Sequence, residues 1–283
     1  MGPELRWGER TYLMGIINVT PDSFSGDGLA TSGRDPGEIV AAALAQGRSM
    51  VAAGAQILDV GAESSRPRQA YGQHPEVDAV TEAALAVPVV RALAAELGAR
   101  ARISIDTSKG AVAAAAVEAG ATVVNDVWAA RHDPGTAEAA AASGSHLVLV
   151  HNQDRTGYPD GVFRTVVDWL SEAIEAGLSL GVARDRLIVD PGIGFGKSTE
   201  DNLELLHRLT GLKAALGGLP LLVGTSRKRF LGELLGGAAP DDRIEGSAAT
   251  AALAVMSGAD IVRAHEVAPI ARILRVADAV VRR

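Results

Sequence analysis

Six residues able to do chemistry each follow a short run of β-branched and aliphatic residues: Asp106, Asn125, Asp190, Lys228, Arg263 and His265. The first three accept hydrogen bonds. The other three, with Arg66 and the amides of glycine-rich loops, attract anions. If they converge, the ligand they fit is flat and rich in donors at one end and anionic at the other. A buried carboxylate needs partners, or its desolvation is very costly. A ligand carrying amino and ring N–H donors would supply them. The alternative is structural, since Asp residues at strand ends also form ion pairs or cap helices. Asp59 and Asp126 read as that kind. Lys109, Lys197 and Lys228 all lie just past strand ends, where a solvated loop cation is the competing reading.

The elements that must position these residues come next. Apolar runs at 13–17, 57–58, 103–105, 122–124, 147–150, 187–189, 221–223 and 261–262 are separated by Ala-rich helical stretches. Eight β-then-α units close into a parallel α/β barrel, a (β/α)8 TIM barrel with its chemistry at the carboxyl ends of the strands. Side chains alternate along a strand, so Ser104 shares a face with Asp106, and Arg263 with His265. Helices are expected over 38–53, 77–97 (kinked or split at Pro88), 111–119, 163–176 (closing at Gly177), 199–209, 244–257 and 268–281. Ser198 or Thr199 can cap the fifth of these. Two long loops, 18–36 and 61–75, follow strands one and two and suit lids over a substrate. No linker interrupts the chain, so residues 1–283 read as one domain.

Composition removes several classes. The 283 residues carry a net charge of −7, which argues against a nucleic-acid surface. Cysteine is absent, so neither a disulfide framework nor a thiolate zinc site is expected. The first ten residues do not read as a signal peptide, and no apolar run is long enough to span a membrane. A soluble cytoplasmic protein is expected. The segment 190–198, DPGIGFGKS, ends like a phosphate loop, but Pro191 stands where that motif needs glycine. Its glycines read better as letting the backbone pass close to a flat ligand. The six histidines lack zinc-ligand spacing, and no serine has the base and acid of a triad.

Seven ordered segments carry a resemblance. They are GIINVTPDSFSGDG at 15–28, DVGAESSRP at 59–67, SIDTSK at 104–109, NDV at 125–127, DPGIGFGK at 190–197, GTSRKRFLG at 224–232 and IVRAHEV at 261–267. Along nearly its whole length the chain resembles the dihydropteroate synthase family of pterin-binding enzymes in folate biosynthesis. The resemblance implies a TIM barrel, usually a homodimer, that joins 4-aminobenzoate to (7,8-dihydropterin-6-yl)methyl diphosphate with Mg²⁺ and is a sulfonamide target. It implies that Asp106, Asn125, Asp190, Lys228 and Arg263 hold the pterin. Asn18, Ser65, Arg66, Arg263 and His265 would serve the diphosphate, with Asn18 also on the metal. Arg66, Pro67, Phe195, Lys228 and Arg229 would form the aminobenzoate pocket. Lys228, Arg263, His265, Arg66 and Asp22 would be the catalytic set.

The chain departs from the family in three places. ESTRP is ESSRP here, and Ser65 keeps the hydroxyl. The lysine loop often reads SRKS, but here Arg229 replaces the last serine. Where the family often has His-Met-Gln, this chain has His151, Asn152 and Gln153, a change that touches one pterin-facing contact. Two other readings compete with a synthase. One is a methyltetrahydrofolate-dependent methyltransferase on the same fold, which resembles the chain less in the NVTPDSF and SRK loops. The other is a pterin-binding homologue without activity. Against it, the long loops keep Asn18, Asp22, Ser65 and Arg66.

Overall fold

A computed structural model describes residues 2–20, 28–29, 35–63, 77–153 and 157–282. Its eight strands are β1 (Tyr12–Asn18), β2 (Ile57–Gly61), β3 (Arg102–Asp106), β4 (Val123–Asp126), β5 (His146–Val150), β6 (Leu187–Asp190), β7 (Leu222–Val223) and β8 (Ile261–Ala264). All pair in parallel, in the order β6-β5-β4-β3-β2-β1-β8-β7. A parallel bridge between Val189 and Leu221 joins β6 to the start of β7 and brings the sheet to near closure. The expected (β/α)8 barrel is therefore present, with each of the eight apolar runs on its own strand.

The helices are α1 (Pro36–Ala53), α2 (Ala79–Leu97), α3 (Gly110–Glu118), α4 (Gly135–Ser143), α5 (Val162–Ser179), α6 (Thr199–His207), α7 (Leu209–Ala215), α8 (Arg229–Leu234), α9 (Ile244–Met256) and α10 (Val267–Val281). Alternation along each strand divides the apolar residues between two cores. Leu13, Leu58, Ile105, Leu149 and Val189 point outward and pack under the helices. Met14, Ile57, Val123, Val148, Ile188 and Ile261 point inward and fill the barrel. Each large aliphatic side chain so buried contributes roughly 1.5–3 kcal/mol. Filling the interior with side chains leaves the strand ends as the place where polar groups can meet a ligand.

The bottom of the barrel is closed by the segment before β1. Leu5 and Trp7 join the inner core there, and the Trp7 ring meets the edges of Tyr12 and His146 at 5.7 and 6.0 Å. Burial, helped by the nearby Arg102 charge, lowers the His146 pKa to about 4 and keeps the ring neutral, far from the mouth. Asp278 of α10 accepts from the Thr11 amide and hydroxyl at 2.8 and 2.7 Å, which ties the last helix to the first strand.

Several helix limits differ from expectation for local reasons. α2 runs through Pro88 unbroken, because Val89, Val90 and Leu93 beyond it are buried against the strands. α5 passes Gly177 and ends only before Gly181, which has φ +92°. A Cβ on Gly177 would lie 3.4 Å from Leu187, so the glycine marks a close approach of helix to sheet. The capping box at Ser198, with Asp201 answering, starts α6 where capping was expected. Arg208 then breaks the helical backbone and separates α6 from α7.

Candidate active site

The inward residue at the end of each strand sets the mouth. In β2, Ile57 is in the barrel core, so Asp59 faces inward two residues on. The same alternation turns Asp106, Asn125, Asp190 and Arg263 inward. Register brings them together, since Asp106 pairs with Gly61 on one side and Asn125 on the other, and Arg263 pairs with Met14.

Arg263 is the hub. Its Nε donates to Asp59 Oδ2 at 2.7 Å, and one terminal nitrogen donates to Asp106 Oδ2 at 2.7 Å. Asp59 Oδ2 also accepts from Asn125 Nδ2 at 3.0 Å. Asp59 is fully buried and Asp106 is 7% exposed, so these ion pairs are shielded from water. Burial works against the Arg263 charge, but the two carboxylates outweigh it and hold the guanidinium above its ordinary pKa. The same burial raises Asp106 to about 7, with Arg263 opposing the shift and Asp59 adding to it. Asp190 is raised to about 6 by burial, opposed by its bond from the Gly192 amide at 2.7 Å and by the Lys228 charge.

These bonds consume one side of each group. Asn125 is fixed with its amide nitrogen on Asp59, which leaves Oδ1 buried with no partner. Asp106 Oδ1 and Asp190 Oδ2 also receive no hydrogen bond from the described residues. Three acceptor atoms on inward positions of β3, β4 and β6 can meet a donor-rich planar ligand. Asp126 points the other way. It accepts from the Trp128 and Ala130 amides and the Thr136 hydroxyl, and is structural as its sequence position suggested.

A cationic segment crosses the mouth beside this floor. Lys228 Nζ lies 3.8 Å from the centre of the Phe195 ring. Arg227, just before it, adopts φ +60°, a left-handed conformation that a long side chain resists. Arg243 holds the strained turn by donating to the Arg227 and Lys228 carbonyls at 2.9 and 3.2 Å. Ser226 Oγ lies 2.9 Å from His265 Nδ1 and 3.1 Å from Glu266, which also pairs with Arg227. His265 is thus positioned by the turn that carries Lys228. Arg229 stands apart from these groups, 54% exposed and paired with Glu233 one helical turn on.

The 190–198 segment passes against protein atoms, and this corrects its sequence reading. A Cβ on Gly192 would fall 1.8 Å from the His151 carbonyl oxygen, and one on Gly194 would fall 2.7 Å from Lys228 Cδ. Both glycines have positive φ. They let the loop nest on the chain itself and seat Phe195 under Lys228. Lys197 is not a solvated cation either. It is buried, bonds His151 Nδ1 and the Gly192 and Phe195 carbonyls at 2.9–3.0 Å, and burial lowers its pKa to about 7. Lys109 is likewise held between Glu63 and the buried Glu82.

Asn18 ends β1 on the inward side, half-buried, with its carbonyl accepting from the Leu29 amide at 2.9 Å. Asp22, Ser65, Arg66 and Pro67 lie outside the described residues. Among the described residues no group of three His, Asp or Glu side chains could hold a metal by itself. Asp59 forms an ion pair, as its sequence position suggested, while Glu266 and Arg243 are contributors that sequence reasoning passed over. Two-residue alternation from Ile57 was the available signal for Asp59.

The model of the "Pterin binding enzyme" family matches residues 14–265. The chain belongs to this pterin-binding enzyme family. Its relatives at high similarity are dihydropteroate synthases. That of Bacillus subtilis is 40% identical over 97% of this chain and 90% of its own length. The one from Clostridium beijerinckii is 38% identical, over 99% and 98%. A crystal structure of the Clostridium difficile synthase in the presence of pteroic acid superposes with a TM-score of 0.88 at 40% identity, over 98% of this chain and 99% of that one. The Xanthomonas albilineans synthase in complex with 7,8-dihydropteroate gives 0.83 at 39%, over 96% and 94%.

Breaking one arm of a buried pair leaves the other charge uncompensated, at a cost of roughly 3–5 kcal/mol. Asp59→Asn keeps the shape of the side chain and removes its charge from Arg263. It should lower the unfolding midpoint in urea and weaken pterin binding at least about tenfold, because both Arg263 and the Asn125 amide lose their anchor. Wild-type stability and affinity in this variant would refute the role given to Asp59.

Proposed function

We infer that the chain catalyses the dihydropteroate synthase reaction, joining 4-aminobenzoate to (7,8-dihydropterin-6-yl)methyl diphosphate to give 7,8-dihydropteroate and diphosphate. One observation carries the reading: one oxygen each of Asp106, Asn125 and Asp190 has no hydrogen bond from the described residues, close to the cations Arg263 and Lys228. The pterin amino group and ring N–H groups supply donors to such a floor. Diphosphate supplies an anion to the rim. The relatives named above, two of them solved with pteroate or dihydropteroate, support the same reaction.

The roles follow from the charges. As the carbon–oxygen bond of the diphosphate ester breaks, positive charge grows on the pterin methylene. The buried carboxylates Asp106 and Asp190, holding the ring N–H groups, stabilise that charge through the ring. Arg263, with His265 and Arg66, takes the negative charge that gathers on the departing diphosphate. Fixed charges of this kind are often the largest catalytic contribution, because they do not reorganise during the step. The arylamine nitrogen then attacks the methylene and loses a proton, so no covalent enzyme intermediate is needed. Lys228, packed on Phe195, holds the pterin carbonyl and ring nitrogen and closes the aminobenzoate side with Arg66 and Pro67. Arg229 is the carboxylate partner for aminobenzoate after it leaves Glu233. Asp22 completes the catalytic set from the first loop.

Mg²⁺ bound to the diphosphate would neutralise charge on the leaving group. Asn18 suits it as a hard oxygen donor at the inward end of β1, and magnesium keeps few protein ligands when phosphates and water supply the rest. We also read the protein as a cytoplasmic homodimer acting on small molecules, with neither nucleic acid nor membrane as partner. The exposed Leu253 and Met256 of α9 and Val276 and Val280 of the adjoining α10 support a subunit contact, and no helix among the described residues is long and apolar enough to cross a membrane.

Purified protein mixed with pterin diphosphate, 4-aminobenzoate and Mg²⁺ should yield dihydropteroate by mass spectrometry. Pterin turnover that does not depend on 4-aminobenzoate would favour a methyltransferase instead.

The raised carboxyl groups set a second expectation. A free Asp titrates near 3.9, whereas Asp190 and Asp106 titrate at about 6 and 7 in the fold. The folded free protein therefore holds more protons than the unfolded chain between those values, and its stability falls as pH rises through that window. A pterin N–H needs the ionised oxygen, so binding expels protons. Calorimetry at about pH 6, repeated in buffers of different ionisation enthalpy, should show net proton release and affinity increasing with pH. Proton uptake, or no proton exchange, would count against carboxylate recognition.

A further inference from the structure

We propose that Asn152 is a specificity-determining residue of the pterin site, supplying through its side-chain amide one donor and one acceptor that the carboxylate floor does not combine. This rests on the pterin reading above and adds to the site a residue that reading does not use.

Position comes first. Val148 and Val150 of β5 lie in the inner core, and Leu147 and Leu149 in the outer one. Alternation continues past the strand end. His151 N donates to the Asp190 carbonyl at 2.9 Å, as a further rung of parallel pairing. The His151 ring turns outward, edge-on to Trp169 of α5 at 4.9 Å, and its Nδ1 meets Lys197 on that side. Asn152 therefore falls on the inward side. It lies one inward step beyond Val150, which is in register with Asp190, and its strand neighbours the one that carries Asn125.

Satisfaction comes second. Asn152 is 1% exposed, and both Oδ1 and Nδ2 lack a hydrogen-bond partner. Most buried polar atoms in folded proteins are paired, and a side chain with both ends unpaired needs an explanation. Asn125, on the neighbouring strand, already has one amide N–H on Asp59, and its oxygen is unpaired and can meet a ligand. Asp106 and Asp190, once ionised, can only accept. A pterin ring carries acceptor nitrogens and a carbonyl beside its N–H groups, and these acceptors need donors. Asn152 Nδ2 meets that need at the β5 edge, while Lys228 approaches from the β7 side. At this position an apolar residue would contribute contact alone, whereas an amide adds direction.

Asn152→Leu keeps the branching and heavy-atom count of the side chain and removes both polar atoms. Calorimetric titration of the full-length variant with (7,8-dihydropterin-6-yl)methyl diphosphate should show affinity about tenfold or more below wild type. Its KM for 4-aminobenzoate should change less than about twofold, and its Tm should equal or exceed that of wild type, because two unpaired buried atoms are gone. Asn152→Gln, which keeps the amide, should recover part of the lost affinity. Pterin affinity within about twofold of wild type in the Leu variant would overturn the inference while leaving the synthase reading intact. A drop in Tm with equal losses for both substrates would overturn it as well, by making Asn152 structural. Failure of the wild-type protein to bind the pterin diphosphate would remove the synthase reading, and this inference with it.

Discussion

The site depends on one guanidinium shared by two buried carboxylates. Arg263 lies between Asp59 and Asp106, and each ion pair is 2.7 Å long. A single buried carboxylate would be too costly to keep charged, and so would a lone buried arginine. Together they form a group whose charges offset one another and whose geometry is fixed by three strands. The arrangement has a surplus of acid, since Asp59 and Asp106 face one Arg263 while Asp190 lies nearby. Burial raises the Asp106 and Asp190 pKa values, with Asp59 adding to the shift at Asp106, and makes the mouth receptive to a ligand that brings N–H donors. The same guanidinium keeps cationic character at the rim for an anion.

The barrel supplies this geometry at low cost. Parallel register aligns the strand ends, and alternation sends every second side chain inward. Apolar residues fill most of the lower layers, and the carboxylates and Arg263 gather at the top. The surrounding turns then refine the positions. Arg243 holds the strained turn at Arg227, and that turn presents Lys228 to Phe195. Glycines 192 and 194 let the neighbouring loop lie within contact distance of His151 and Lys228, where any side chain would collide. Lys197 clamps that loop from behind through two carbonyls and a histidine. Precision at the mouth therefore comes from protein-to-protein contacts in loops that are rich in glycine.

Much of this could be read in the sequence, for identifiable reasons. Each apolar run ended beside a polar residue, and two-residue alternation was enough to group Asp106, Asn125, Asp190 and Arg263. Glycine and capping residues marked most helix ends. The missed features depend on distance across the barrel. Asp59 read as an ion-pairing residue, but nothing local shows that its partner is Arg263, 204 positions away. A solvated loop cation stayed open as a reading of Lys197 because burial among carbonyls is a tertiary fact. Helix α4 is built almost wholly from small residues and carries no apolar stripe to read. Gly177 suggested a helix end but serves a close packing contact instead. Asp22, Ser65, Arg66 and Pro67 come from the long loops and lie outside the described residues, so for them the resemblance remains the ground.

A crystal structure of the protein with (7,8-dihydropterin-6-yl)methyl diphosphate tests the central claim most directly. The account predicts the ring lying over the inner layer, its N–H groups within hydrogen-bonding distance of Asp106 Oδ1, Asn125 Oδ1 and Asp190 Oδ2, with Arg263 still bound to Asp59. A ring seated elsewhere, or carboxylates that keep only their internal contacts, would contradict it.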